Sequence, residues 1–490
     1  MRKTHTFDIF DTLVARRCIQ PVQVFLEIER DTQVENFAKI RTQAEAKVAK
    51  HAYTLDDIYQ EIVMNFGVSQ ELGDYLKTKE VACEIHNAIA IQENLDKVHD
   101  GDVLITDMYL PRYAIEAILK KAGLRKHVGL IISSNGKHSG EIWPKIKNAI
   151  HIEQHTGDNQ HSDVNSPLSH GVFGVHLTDH QMSAHESFLE QNGLGLLARA
   201  VRETRLKASS SNLSRQQRDQ RMLQINCNMP MLILICAHIR HISQAQSVDQ
   251  VLFSSRDCYM LERVFHTIST QAHWPEKSHY FLTSRVARLN ASSTYLQYFK
   301  SLCSNDSMVV DLCGTGWSLG QLYAQSNIQP RTYLIHYLRD DSSTKQAYES
   351  IRSSRAIDKL LYLNDDKDIN NVGIELVNYN PAGMFLNMLS VDGYDSTIPE
   401  FENPNYPACV THAIDEMQTA QELFMQTLHN YDLAAMMKEI DNKSSQLSSI
   451  FAELYKNLCA NLGCMQDVFD YHTKQDAKSM WRLKNASHEE

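Results

Sequence analysis

Short apolar strands that stop on acidic residues, separated by helical runs, constrain this chain more than any other feature. Thr6-Phe7-Asp8-Ile9-Phe10 opens it as a buried strand running into Asp8 and Asp11. Val103-Leu104-Ile105 leads into Thr106-Asp107, Gly129-Leu130-Ile131-Ile132 forms a further strand, and the segment up to Gly157 ends in a loop rich in Asp, Asn and His. Between the first two strands Val22, Phe25, Leu26 and Ile28 recur at helical spacing, as do Leu55, Ile58, Tyr59 and Ile62. Thr54 followed by Asp56 and Asp57 reads as a helix start. Helical character returns from Arg112 to Ala122 and stops at Gly123. Strands alternating with helices, with acids at the strand C-termini, predict an α/β fold. Its core is a doubly wound, Rossmann-like sheet with the functional site along that edge.

The chain has 490 residues, more than one hydrophobic core holds. Between Glu203 and Arg221 the composition shifts to Ser, Arg, Gln and Asn through Ser209-Ser210-Ser211. Beyond it Val251-Leu252-Phe253, Tyr280-Phe281-Leu282, Met308-Val309-Val310 and Tyr333-Leu334-Ile335 read as strands of a second α/β domain. The expected organisation is a first domain over residues 1–205 with a helical insertion at about 15–100. A linker over 206–222, a second α/β domain over 223–400 and a helical region over 401–490 follow.

The formal net charge of -11 and pI near 6.1 argue against a protein that coats nucleic acid or anionic lipid. Ten cysteines are scattered without a CxxC pair, as expected of reduced thiols in a cytoplasmic protein. Met-Arg-Lys-Thr-His runs straight into a strand with no apolar signal region. The apolar run Met229 to His238 is far short of the roughly 20 residues a membrane span needs. A cytoplasmic chain without a membrane span is the expectation.

Four separated elements carry chemistry. They are Phe7-Asp8-Ile9-Phe10-Asp11-Thr12-Leu13, Leu104-Ile105-Thr106-Asp107, Lys137 within Asn135-Gly136-Lys137-His138-Ser139-Gly140, and Gly157-Asp158 followed by Asp163. In this order they resemble the haloacid dehalogenase-like (HAD) superfamily over about residues 1–178, with the helical insertion matching a cap. The resemblance implies a hydrolase, most directly a magnesium-dependent phosphatase for a small phosphorylated substrate. Asp8 would be the nucleophile, attacking phosphorus to form an aspartyl-phosphate. Asp8, the Phe10 carbonyl and Asp158 would hold Mg²⁺, with Asp163 supporting the metal or a water on it. Thr106 would bind a phosphoryl oxygen, and Lys137 would offset the negative charge gathered there.

One position departs from the phosphatase pattern. The acid that protonates the leaving oxygen normally stands two residues after the nucleophile, and here that residue is Phe10. Asp11 or Asp107 would have to take the role, or turnover would be limited to good leaving groups. His161 is a further candidate for proton transfer near Asp158. Met108-Tyr109-Leu110-Pro111 after Asp107 is similar to a bacterial subgroup of HAD hydrolases found among surface-polysaccharide genes, which implies a sugar phosphate or nucleotide as substrate. Arg16 and Arg17 could meet an anionic substrate at the cap boundary or be plain surface arginines. Arg41 and Glu45 read as an i,i+4 pair.

In the second half, Arg256 and Arg285 each follow a strand, and Asp311-Leu312-Cys313-Gly314-Thr315-Gly316-Trp317-Ser318 is a glycine-bearing strand-to-helix turn. Such a turn can cradle phosphate with its backbone N–H groups. It resembles the ribose-phosphate loop of type I phosphoribosyltransferases, with Asp311, Thr315, Gly316 and Ser318 on matching positions and Val310 where that pattern has an acid. A phosphate site formed by these segments is one expectation, and an ordinary tight connection is the other. Two alternatives to the hydrolase reading stand: a regulatory HAD protein that binds its ligand without turnover, and a transferase whose chemistry lies in the second domain.

Overall fold

The computed structural model describes residues 4–50, 52–314, 316–337, 357–362, 372–380, 382–391, 396–403 and 405–474. The chain forms two compact units, Met1–Ala184 with Arg202–Leu213, and His185–Val201 with Ser214–Glu490. The last chain division falls at residues 213 and 214, inside the stretch expected as a linker. That stretch is mostly helical: Gly195–Ala208 and Arg215–Leu223 are helices, leaving a short connection between them. The helices expected as a separate C-terminal region, Ala408–Leu428, Leu433–Asp441 and Leu447–Ala460, fall in the second unit.

The first unit is an α/β layer structure around a parallel sheet. Its core strands are β1 (Thr4–Phe7), β4 (Val103–Asp107), β5 (Gly129–Ser133), β6 (Ile152–Gly157) and β7 (Phe173–His176), in the order β5-β4-β1-β6-β7. Every pairing in it is parallel, and β1 lies in the middle between β4 and β6. Central parallel strands are covered on both faces, which is why β4 begins Val-Leu-Ile and why β1, though it carries Thr4, His5 and Thr6, is buried at three of its four positions. The chain runs from β1 to one side of the sheet and returns on the other, so the connections diverge beside the C-terminal ends of β1 and β6. Ligands of open α/β sheets bind in the crevice at such a point.

A two-stranded antiparallel ribbon, β2 (Val14–Arg16) and β3 (Ala88–Ala90), leaves the sheet just after β1 and encloses a helical insertion. The insertion holds four helices: α1 (Pro21–Thr32), α2 (Phe37–Val48), α3 (Leu55–Asn65) and α4 (Gln70–Asn87). Thr54 caps α3 by accepting from the Asp57 N–H while Asp57 closes the capping box, a stop-start signal readable in the sequence. Val24, Phe25, Ile28, Ile58, Ile62 and Leu76 form its apolar interior. Within that interior lies a charged network. Arg41 makes two 2.7 Å bonds to Glu80, both side chains fully buried, and the Tyr59 hydroxyl donates to Glu80 at 2.8 Å. The expected Arg41–Glu45 pair exists at 2.8 Å, as the outer member of this network. Arg16 and Arg17 are neither surface residues nor open to an anion. They are held by Glu84 and Glu203 respectively, Arg16 at 2.9 Å and Arg17 at 2.5 Å.

The second unit holds another parallel sheet, β8 (Gln250–Ser254), β9 (Lys277–Phe281), β10 (Ser307–Gly314), β11 (Arg331–Tyr337) and β12 (Ile357–Tyr362), ordered β12-β11-β10-β8-β9. An antiparallel hairpin, β13 (Phe385–Ser390) and β14 (Thr397–Phe401), follows. The helical run Arg215–Gln246 contains a π-turn at Gln224–Asn228, immediately before Pro230, whose ring and missing N–H obstruct regular α-helical bonding. Among the described residues this run alone is long and apolar enough to cross a membrane, but 83% of its most apolar window is buried inside the protein. Its burial is that of a core helix.

Candidate active site

The crevice beside β1 and β6 collects the acidic residues of the first unit. Asp8 follows β1, where its backbone N–H donates to the Thr156 carbonyl at 2.8 Å and continues the ladder one residue past the strand. The chain then folds sharply back: the Leu13 and Val14 N–H groups both reach the Ile9 carbonyl at 2.9 Å, and the Asp11 N–H reaches Val14 at 2.6 Å. Asp11 sits at the bend with φ 57, the left-handed region that Asp and Asn tolerate better than most side chains. The Phe10 ring lies under the Arg16 guanidinium, whose Cζ is 4.7 Å from the ring centre.

Asp8, Asp158 and Asp163 each offer a carboxylate oxygen within 4.8 Å of the others, a grouping able to hold a metal ion. Lys137 binds two of them, donating to Asp8 and, at 2.6 Å, to Asp163. The Thr12 hydroxyl lies between the other pair, 3.2 Å from Asp8 Oδ2 and 3.4 Å from Asp158 Oδ1. Burial, opposed by Lys137 and reinforced by the neighbouring carboxylates, pushes the Asp8 carboxyl up to about 7. Burial and the charges of Asp11 and Asp163 raise Asp158 as well. Asp163, held by His155 and Lys137 against its own burial, stays well below the usual carboxylate range.

Asp163 is the most heavily engaged of the three, accepting three hydrogen bonds where Asp8 accepts one from Lys137 and one from Thr12. Oδ1 accepts from Lys137 and from His155 Nε2 at 3.1 Å, and Oδ2 accepts from the Asn159 N–H at 2.9 Å. Burial favours neutral His155. Since a carboxylate only accepts, Nε2 carries the proton and Nδ1 accepts from the Thr6 hydroxyl at 2.9 Å. The space for Asp163 depends on glycine: a Cβ on Gly157 would stand 2.2 Å from Asp163 Cγ, and one on Gly174 would stand 2.6 Å from its carbonyl oxygen. Asp8 and Asp158 are therefore the carboxylates with lone pairs left for a cation, and Asp163 orients Lys137.

Lys137 is set by its own short helix, Gly136–Ser139. The Asp107 carboxylate accepts from the backbone N–H groups of Lys137 at 3.1 Å and His138 at 2.9 Å, and from the Ser133 hydroxyl. Ser166, tied to Trp143 Nε1 at 3.2 Å, donates to the Lys137 carbonyl at 2.8 Å. Asp107 is thus a cap on the lysine turn, with both oxygens engaged, and not a free proton donor. Thr106, one residue earlier near the C-terminal end of β4, is 2% exposed, and its hydroxyl makes no hydrogen bond among the described residues. His161 packs on His138, ring centres 4.6 Å apart, and its Nε2 lies 3.2 Å from the His138 carbonyl oxygen. It belongs to the lysine turn rather than to Asp158.

Sequence reading missed Thr12, His155 and Thr6. Thr12 lay within the first motif but had no partner to suggest a role. His155 stands two residues before Gly157 on β6, the spacing that puts both on one face of a strand, a signal that points inward without naming Asp163. No family model matches this chain, and no curated protein matches it.

In the second unit the expected phosphate-site residues divide. Asp311 is bound by an arginine, but that arginine is Arg288: it reaches Asp311 at 2.7 Å, Ser318 at 3.3 Å, Thr283 at 3.0 Å and Ser254 at 3.0 Å. Arg285, one turn earlier, is exposed and is outside this network. Arg256 follows β8, beside Asp257 at 3.4 Å and over the Tyr379 ring. Gly316 has φ 74 and caps the helix Trp317–Ser326, whereas Thr315 lies outside the described residues.

Proposed function

We propose that the first unit is a HAD-type phosphohydrolase acting on small phosphate monoesters. The observation that carries this reading is Asp8, a buried carboxylate at the C-terminal end of the central strand, in contact with Lys137 and clustered with Asp158. An all-oxygen donor set suits a hard divalent cation, and Mg²⁺ fits the phosphate chemistry. Asp8 and Asp158 would hold it, with the Phe10 carbonyl as a further oxygen ligand. Bound there, Mg²⁺ would neutralise charge between the carboxylates and a phosphoryl group.

The remaining work falls to side chains. One Asp8 oxygen attacks phosphorus as the bond from phosphorus to the ester oxygen breaks, giving an aspartyl-phosphate and an alkoxide that takes up a proton. Water then attacks phosphorus, releasing inorganic phosphate and restoring the Asp8 carboxylate. Lys137, anchored by Asp163, holds Asp8 in place and stabilises phosphoryl oxygens, and the unpartnered Thr106 hydroxyl is free to donate to one of them. With Phe10 packed under Arg16 and Asp107 committed to its turn, Asp11 is the carboxyl left to protonate the leaving oxygen. A sugar phosphate or nucleotide is the substrate class this reading favours.

The test is Mg²⁺-dependent phosphate release from sugar phosphates, nucleotides and an aryl phosphate, with Asp8→Asn alongside. Activity in the wild type that Asp8→Asn abolishes is expected. No release from any of them by folded, Mg²⁺-binding protein would overturn the reading in favour of ligand binding without turnover. Asp11→Asn should slow alkyl phosphates by about 10²-fold and spare the aryl phosphate, whose leaving oxygen needs no proton.

A further inference from the structure

The second unit has a cavity of its own, about 270 Å³, at the C-terminal ends of β8 and β9. Tyr259, Tyr280 and Phe401 supply flat apolar walls, and Arg256, Asn380 and Gln418 supply polar groups. The sheet order explains its place. From β8 the chain passes to β9 on one side and then to β10 on the other, so the loop after β8 lies where the connections part. That is the position at which open parallel sheets receive ligands.

Two arginines serve this region differently. Arg288 is a frame: its guanidinium is engaged by Ser254 at the end of β8, Thr283 just past β9, Asp311 within β10, and Ser318. Arg256 is the one that lines the cavity. Its Nε pairs loosely with Asp257 at 3.4 Å, and its plane lies 4.6 Å from the Tyr379 ring centre. Its two terminal nitrogens make no hydrogen bond among the described residues, and the side chain is 26% exposed. An arginine stacked on an aromatic ring, with its fork unused and turned to a cavity, matches the bidentate geometry of an oxyanion.

We propose that this cavity binds a small organic phosphate with a flat ring body, of about mononucleotide size. The ring lies among Tyr259, Tyr280 and Phe401, and the phosphate rests on the Arg256 fork. Gln418 has an amide able to read polar groups on the ring edge, and Asn380 shapes the wall by accepting from the Ala382 N–H at 2.8 Å. Asp257, beside Arg256, disfavours a second anionic group, which sets a preference for monophosphates over diphosphates.

Calorimetric titration of the full chain tests this, in the Asp8→Asn background so that no probe is hydrolysed. The probes are nucleoside monophosphates, a nucleoside diphosphate and inorganic phosphate. Saturable binding of a monophosphate is expected, weakened at least tenfold by Arg256→Gln and severalfold by Phe401→Ala. Phe401 is 41% exposed, so its variant should fold even if Arg256→Gln does not. Inorganic phosphate should bind more weakly than the monophosphates and be insensitive to Phe401→Ala. No monophosphate binding, or binding unchanged in a folded Phe401→Ala or Arg256→Gln protein, would overturn the assignment.

Discussion

Replacing Gly157 by alanine should disrupt the candidate site around Asp8 without replacing any of its side chains. The added Cβ would stand 2.2 Å from Asp163 Cγ, 2.3 Å from its Oδ2 and 2.6 Å from its Cβ, closer than atoms can approach. Asp163 has no second place to go. Its own backbone is pressed against Gly174, where a Cβ would come within 2.6 Å, and its oxygens are held by Lys137, His155 and the Asn159 N–H. Relieving the clash means rotating the carboxylate away from at least two of these donors. Hydrogen bonds to a charged group are worth about 1.5–3 kcal/mol each, so the loss is about 3–6 kcal/mol. At about 2–4 °C per kcal/mol for a unit of this size, the melting transition of the first unit should fall by roughly 6–24 °C. Lys137, freed from Asp163, would also lose its aim on Asp8, and phosphate release should fall by about 10² or more. Scanning calorimetry and the phosphate assay read both effects. The control is Gly195→Ala, at the first position of a helix, where a Cβ meets nothing within 4 Å and stability should be unchanged or slightly higher. A Gly157→Ala protein that melts within 2 °C of wild type and retains full activity would refute the fixed role given to Asp163.

Three further outcomes follow from charges placed in the interior. Glu80→Gln leaves Arg41 buried without its bidentate partner and should cost about 3–5 kcal/mol in denaturant unfolding, whereas Arg41→Met with Glu80→Leu should recover most of that loss. In the second unit, burial pushes the Asp257 carboxyl up to about 6 among Arg256, Glu375, Asp311 and His472. Since this pKa lies above its unfolded value, the contribution of Asp257 to stability is fully present below about pH 4 and is lost as pH rises through 6; thermal melts of Asp257→Asn should lack that decline. Without divalent cation, Asp8→Asn should melt above wild type by about 1–3 kcal/mol in stability, because it removes one of three clustered carboxylates, and added Mg²⁺ should raise the wild-type transition more than the variant's.

How far the sequence discloses such features depends on their range. The parallel α/β sheets and the helices α1 and α3 are legible because apolar spacing and the Thr54 cap are local signals, whereas α2 and α4 lie in an insertion expected only to be helical as a whole. Asp8, Lys137, Asp158 and Asp163 are legible because each sits at a strand end or on a turn with a recognisable spacing. Arg41 and Glu45 were paired correctly one helical turn apart, but nothing local announces Glu80, which arrives from another helix and completes the buried network. The same blindness misjudged Arg16 and Arg17, whose partners Glu84 and Glu203 are distant in sequence. It also favoured Arg285 over Arg288: both follow β9, and only the fold decides which one turns inward to Asp311.

Long-range pairs of this kind divide into two classes that the interior treats alike and function does not. Glu80 faces Arg41, Glu84 faces Arg16 and Glu203 faces both Arg17 and Lys207, so each of these buried carboxylates has at least one cation of its own. Around Asp8 one lysine faces three carboxylates, which leaves a formal excess of two negative charges in a crevice where each uncompensated ion costs several kcal/mol. A fold built for stability alone would place an amide at one of those positions, as it balanced its charges elsewhere. Natural sequences keep such local conflicts chiefly where a ligand resolves them. The imbalance at Asp8 and Asp158 has the sign and size that one divalent cation neutralises, and it stands at the place in the sheet where the chain connections open a crevice to receive one.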